Sequence, residues 1–529
     1  MSFDPRTTSH ELAEHLARRQ KRLRVVKTTT TPSGQIIDWI PIESQSAAGR
    51  IASPPPMKIM PQSHESRPMS AISFELEDPC VERGPAGTVP IFRPTVTALR
   101  RSLESNQHAK MRGGCHANRK RPNRKATDPD PFGYFHCINS ENGTFYGADG
   151  ILSVWAPLID LPSAPGDDHS IVQFWLQNYA GGVTTSIEGG WTLDQSLNGD
   201  LQPHLFTFYT TNGYTSEGDG IGGYNNQHSG FVQYSGVVAP GALINGASSV
   251  GGEQFFVRMK FQLYAEPITG QLNWWIGVQG SGSFIWVGYY PASLFSGGVG
   301  NNASWVGSGG EVYSSLADPS TTQDQMGSGW QADAGWTKAA YLSNLLVQSD
   351  LNGTMADSNG TGTSDTATGA STNPYTIQTD MNSGSSWGSY IYVGGPTSSS
   401  AATALYDQIT FNITTGGDDL RGDSSATATV NLSGGPQGFT LKNQGDGSWD
   451  NNSNNVRSFP IGGGAQPLSA FGQVSITLTS HNGFFETDDN WNIQSVVVTL
   501  SGPSGSVQLK SETGNPFARL TGSAPTVTF

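Results

Sequence analysis

The stretch FFVRMKFQLYAE, Phe255–Glu266, decides the fold class. Val257, Met259, Phe261 and Leu263 are apolar, and Arg258, Lys260 and Gln262 between them are polar. A repeat of two is the pattern of a strand with one buried face. Runs of the same length and character recur on both sides: SIVQFWLQN, GGWTLDQSL, HLFTFYTTNGY, GFVQYSG, NWWIGVQG, SFIWVGYYP and WGSYIYVGGPT. Glycine or Asn-Gly separates them, which is hairpin chemistry. The series predicts an all-β protein whose residues 132–397 form a sandwich of antiparallel sheets. A second series begins near residue 403 with LYDQITFNITT, ATATVNLSG, FTLKNQG, GQVSITLTSHNG and WNIQSVVVTLSG. Residues 403–529 have the length of a separate, smaller β-sandwich.

The 529 residues carry a net charge of −14, unevenly spread. Residues 1–125 hold 21 basic and 11 acidic side chains, and the remainder holds 8 basic and 32 acidic. A basic arm can bind nucleic acid, but few aromatics are interleaved here and no nucleic-acid motif appears, so no nucleic-acid partner is expected. The acidic remainder of the same chain is an equally good partner. Residues 1–131 read as a basic N-terminal segment and linker. A helix is expected over 9–26, loose Pro- and Ser-rich chain over 50–70, and an exposed, cleavable linker over 107–131. The Gly/Ser/Thr/Asn tract 351–374 reads as a long flexible loop. No apolar run approaches the ~20 residues of a membrane span. The first residues show no apolar core of a classical signal peptide. Of the three cysteines, Cys80, Cys115 and Cys137, none follows residue 137, and an odd number permits one bridge and one free thiol.

Familiar catalytic signatures are absent, and GSSWG around Ser386 lacks the strand–turn–helix setting of a nucleophile elbow. Two glutamates stand out instead. Glu188 lies in SIEGGW and Glu311 in GSGGEVY, each with two adjacent glycines and an aromatic nearby. Glycines admit a ligand or another backbone at close range. Two carboxyls facing one groove can share a proton, so that one activates water while the other donates. The competing reading is two exposed glutamates in separate turns. Clustered aspartates in TGGDDLRGDS and ETDDNWNIQS, in the C-terminal region, offer oxygens for a structural calcium ion, although Asp and Asn are also ordinary turn residues.

Residues 132–397 resemble the neprosin family of glutamic peptidases. The likeness rests on SIEGGWTLD, FTFYTTNGY, GGYNNQHSGFVQ, NWWIGV, VGYYPASLF, GSGGEVY and MGSG, in that order. The resemblance implies a β-sandwich whose catalytic residues are Glu188 and Glu311, with no metal or other cofactor. It implies an acid-active endopeptidase that cleaves proline-containing proteins or peptides after proline. It implies secretion, and an N-terminal pro-segment that acts as the chain's own inhibitor until removed. Trp175 and Tyr209 are expected to line the cleft for a proline ring. Where plant members carry two cysteines, this chain has Gly223 and His228. The segment from 403 is additional to the family pattern. The alternative is a non-catalytic, Trp-rich, lectin-like binding or surface adhesion protein, which shares fold and composition but has no need of the two glutamates.

Overall fold

The computed structural model describes every residue except 1, 5, 47–48, 57–66, 80, 110–132, 160–167, 317–318, 369–372, 397–404, 433–434, 468–469, 482–488 and 503–504. The chain divides into two compact units, Met1–Pro396 and Thr397–Phe529. In the first, β1 (Gly133–Phe145), β2 (His169–Ala180), β3 (Val183–Asp194), β4 (His204–Thr210) and β5 (Ala303–Ser314) belong to a nine-stranded sheet. Their order across it is β4-β3-β2-β5-β1, with every pairing antiparallel. A ten-stranded sheet faces them. The strand Phe255–Ala265 lies at its middle between Leu272–Gln279 and Gly147–Val154.

The alternation read from the sequence is what joins the sheets. Val257, Met259, Phe261 and Leu263 enter one core with Val172, Phe174 and Leu176 of β2, Ile187 and Trp191 of β3, Val306 and Val312 of β5, and Phe135 and Cys137 of β1. Cys137 is a buried free thiol, pushed up by burial and then by the charge of Asp365, so it stays protonated and packs as a small hydrophobe. Cys80 and Cys115 lie outside the described residues.

The N-terminal residues join the same unit. Helix α1 (Ser9–Arg22) starts in a capping box between Thr8 and Glu11. It ends short of the expected residue 26, at the extended Leu23. Helix α2 (Val96–Ala109) packs Leu99 and Leu103 on Leu12 and Phe3. Ser2–Phe3 pairs with Glu217–Gly218 at one edge of the nine-stranded sheet, and Ser70–Ala71 pairs with the strand Phe255–Ala265. The expected linker lies outside the described residues beyond Ala109.

One expectation is corrected. Much of the tract 351–374 is strand: Met355–Asp357 pairs with Ala340–Gln348, and Gly362–Thr368 adds an edge strand to β1. Its small polar residues carry no hydrophobic period, but a ladder is made by backbone groups that every one of them has. Glu141 anchors the turn, accepting from Ser358 Oγ, Asn359 N and Asn359 Nδ2 at 2.9–3.0 Å.

The second unit is a sandwich of two four-stranded sheets around Ile409, Phe411, Val430, Ile476, Trp491 and Val498. The strands Gln408–Thr415 and Ser425–Leu432 alternate buried and part-exposed residues, as their sequences predict.

Gly190 on β3 tests how closely the strands approach. A Cβ there would lie 2.0 Å from Val172 O and 2.7 Å from Gln173 Cα, both backbone. Gly190→Ala is expected to destabilise the unit by about 1–3 kcal/mol in urea unfolding. Gly236→Ala, whose Cβ would meet only Thr88 O at 3.6 Å, is expected to change stability by less than about 0.5 kcal/mol.

Candidate active site

The same alternation turns a second set of side chains to the other face of the nine-stranded sheet. Registers place them in rows across β3, β2 and β5. Glu188, Trp175 and Gly307 form one row, Gly190, Gln173 and Gly309 the next, and Thr192, Ile171 and Glu311 the third. Glu188 and Glu311 therefore share a face. They stand two strands apart and four residues apart along the strands, roughly 10 Å across and 13 Å along. The row between them carries one side chain, Gln173, between two glycines. That leaves a shallow trough between two carboxyls, floored by backbone.

Both carboxyls are buried, Glu188 at 4% exposure and Glu311 at 1%. A buried carboxylate without partners is costly, and each has partners. Glu188 Oε1 accepts from Tyr214 OH at 2.5 Å and Ser186 Oγ at 2.9 Å. Gln177 Nε2 donates to the same tyrosine oxygen at 2.9 Å. Ser186 and Gln177 pair with each other one row further from Glu311. Glu311 Oε2 lies 2.9 Å from His136 Nε2, and Oε1 lies 3.2 Å from His169 Nε2. His169 pairs with Asp194 and Tyr313, one row further from Glu188. The two carboxyls are thus held toward opposite ends of the trough.

Arg101 of α2 reaches this site from the N-terminal segment. Its guanidinium lies 2.6 Å from His169 Nδ1 and 2.8 Å from Asp194 Oδ2, and both charged partners are about 2% exposed. Arginine can only donate. Nδ1 must then be the acceptor, and Nε2 carries the hydrogen that His169 gives to Glu311. One chain of hydrogen bonds runs from the N-terminal segment to a candidate catalytic carboxyl.

Of the aromatic residues expected at a cleft, Trp175 lies on this face, packed with Ile138 and Trp305. Trp305 folds over Gly307, its Cη2 2.2 Å from where a Cβ would stand. Tyr209 points the other way. It is in the core between the sheets against Tyr290 and Phe295, and its hydroxyl donates to Ser229 O at 2.6 Å. Leu205 and Thr207 share its parity on β4, so the strand's phase puts Tyr209 inside and Phe206 and Phe208 on the trough face. Sequence reasoning did not find Gln173, His136, His169, Tyr214 or Arg101. Gln173 had a signal, being the lone polar residue inside the run IVQFW. His136 and His169 are 175 and 142 residues from Glu311, and no local pattern connects them.

In the second unit, three backbone carbonyls of the loop TGGDDLRGDS face a cation of the chain's own. Lys442 Nζ donates to Arg421 O at 2.7 Å, Ser424 O at 2.8 Å and Gly422 O at 3.2 Å. Asp489 lies against Arg421, and Asp418 against Arg519. Residues 486–488 of the other aspartate cluster lie outside the described residues.

Residues 166–396 match the profile of the Neprosin family. These residues, somewhat less than half of the chain, carry a neprosin-family domain. Glu188, Gln173, Trp175 and Glu311 all fall within the neprosin domain, and Arg101 and His136 lie before it. The family is peptidase-related, which supports an enzymatic role. Among the described residues no helix is long and apolar enough to cross a membrane. A solved structure, the crystal structure of Clostridium perfringens alpha-toxin isolated from avian strain SWCP, is similar to 24% of this chain at 14% identity and a TM-score of 0.20. The match spans 32% of the toxin chain.

Breaking a buried ion pair on one side strands the other charge. Arg101→Met is expected to cost about 3–5 kcal/mol in urea unfolding, and Arg101→Met with Asp194→Asn to recover part of it. Asparagine keeps the cap that Asp194 Oδ1 gives to Leu197 N.

Proposed function

We propose that this protein is a glutamic endopeptidase, active in acid, that cleaves after proline and is made as a zymogen. The observation that carries the reading is the pair of buried carboxyls on one face of the neprosin domain, flanking a row whose only side chain is Gln173. A peptide laid along the trough meets a carboxyl at each end. One glutamate takes a proton from water as it attacks the scissile carbonyl. The other, protonated in acid, gives its proton to the leaving nitrogen. The developing oxyanion needs a donor. Gln173 is 1% exposed, and its carboxamide oxygen has no hydrogen-bond partner among the described residues. Turned about its last bond, that amide presents N–H to the trough. The Trp175 and Trp305 rings beside Glu188 offer a flat apolar wall to a proline ring.

The N-terminal segment supports the zymogen reading. Arg101 holds His169, and His169 holds Glu311 at the far end of the trough. Removal of the segment frees Nδ1 of His169 and so loosens one of the two imidazoles that position Glu311, the other being His136. Inhibition on this reading is a matter of misalignment as well as cover. The grip also has an electrostatic part. Arg50 of the segment pairs with Glu266 at 2.8 Å. Hydrogen bonds from Thr269, with help from Arg50, hold the Glu266 carboxyl below its ordinary range against the opposing effect of burial. Only the Arg50 part of that depression bears on attachment: it is present above the carboxyl's ordinary pKa of about 4.3 and is lost as pH falls through the lower folded value.

Wild type pre-incubated in acid is expected to cleave a proline-rich unstructured protein below about pH 5, with mass spectrometry placing the cuts after proline. Glu188→Gln and Glu311→Gln should each abolish turnover. Gln173→Ala should lower kcat by about 10²–10³ with a smaller change in KM. Turnover that survives Glu311→Gln ends the reading. Intact mass after acid incubation should show the active species without residues 1–109, and an active full-length chain ends the zymogen part alone.

A further inference from the structure

Away from the trough, α1 meets the nine-stranded sheet at a cluster that the peptidase reading does not use. His15 of α1, Asp219 and His228 each present a ligand atom, and these atoms lie within 4.8 Å of one another. Both imidazoles are 2% exposed. His15 Nε2 and both ring nitrogens of His228 have no hydrogen-bond partner among the described residues. Buried polar atoms are nearly always satisfied, so imidazole nitrogens left without hydrogen bonds at one point call for a further ligand. The cluster is built. Phe3 stands 4.6 Å from the His15 ring and stacks 5.8 Å from the His228 ring. Gly223 lies beneath His228, where a Cβ would come within 2.6 Å of Cδ2. Asp219 is oriented by Ser229 N, which donates to Oδ1 at 2.9 Å, and its Oδ2 is 3.2 Å from Arg22. A second carboxylate, Glu217, lies 3.4 Å from His228 Nε2.

We infer that His15, Asp219 and His228 form a binding site for a divalent transition metal, zinc in the first place, that fastens the N-terminal segment to the neprosin domain. Two imidazoles and a carboxylate are zinc ligands, with bonds of ~2.0–2.2 Å. Ligand atoms in such a tetrahedral site stand about 3.3 Å apart, so a small closure of side chains completes the shell, with Glu217 or water as the fourth ligand. Imidazole ligates in its neutral form. Because one ligand is residue 15 and the others are residues 219 and 228, the ion is held only while the segment is docked. By linkage it then stabilises the docked form. This goes beyond the peptidase reading and needs none of it.

The test uses the full chain with Glu188→Gln, to prevent self-cleavage, stripped with chelator at pH 7.5. One equivalent of Co²⁺ should give the visible d–d absorption of a four- or five-coordinate site, displaced by Zn²⁺. Zinc should raise the melting temperature by several degrees and slow proteolytic removal of residues 1–109. His15→Gln, His228→Gln and Asp219→Asn should each weaken Co²⁺ binding by at least about 100-fold. Absence of a Co²⁺ spectrum and of any melting shift at tenfold excess of metal overturns the inference. So does a spectrum that survives in His15→Gln and His228→Gln. If a histidine variant fails to fold, Asp219→Asn decides, since a part-exposed carboxylate can lose its charge without emptying a core. Failure of peptidase activity leaves all of these readouts unchanged.

Discussion

The position of Trp191 between the two sheets is the constraint on which the site depends. Its ring is wholly buried, and its Nε1 donates to Ser153 O of the opposite sheet at 2.8 Å. A buried tryptophan removes ~150–250 Å² from water, worth roughly 4–6 kcal/mol. With Trp191 and Ile187 inside, β3 has no choice about Ser186, Glu188, Gly190, Thr192 and Asp194, which face out together. A slip of one residue would put Glu188 in the core and Trp191 in the trough. The hydrophobic contact of the two sheets thereby sets which chemistry is displayed on the other face.

That other face sets buried polar groups among aromatic ones. The carboxyls of Glu188 and Glu311 stay in a buried place because hydroxyl and imidazole groups satisfy them, and part of the support comes from the N-terminal segment. Arg101 is expensive to bury, and its cost is offset by Asp194 and His169 together. A single helix thus supplies a buried cation to the hydrogen-bond chain that ends on Glu311.

Much of this was legible in the sequence. The alternation in FFVRMKFQLYAE and its neighbours predicts the sandwich, and the ordered motifs around Glu188 and Glu311 select those residues. Parity goes further. With Ile187 and Val312 inside, both glutamates must face out, and Gln173 must face out with Val172 and Phe174 inside. Tyr209 was misplaced because HLFTFYT is apolar on both faces, so its phase is ambiguous until the neighbouring strand is known. The tract 351–374 reads as a loop because its residues lack any hydrophobic period, while its ladder uses backbone groups alone. Lys442 in the aspartate-rich loop was invisible because a lysine some twenty residues away gives no local sign that it occupies an oxygen cluster.

The sequence by itself determined the local terms. It settled the strands that carry a hydrophobic period, the apolar face of those that alternate, and which glutamates carry glycines beside them, since these depend on residues two to four apart. Only the tertiary structure decided what meets what. The four-residue stagger between Glu188 and Glu311 follows from the register of β2 between β3 and β5, which is set by pairing across the whole sheet. The Arg101–His169–Glu311 chain joins residues from an N-terminal helix and two strands. The His15–Asp219–His228 cluster joins a helix to a hairpin two hundred residues away. Such contacts rest on the closure of the chain around its core, and no window of sequence contains them.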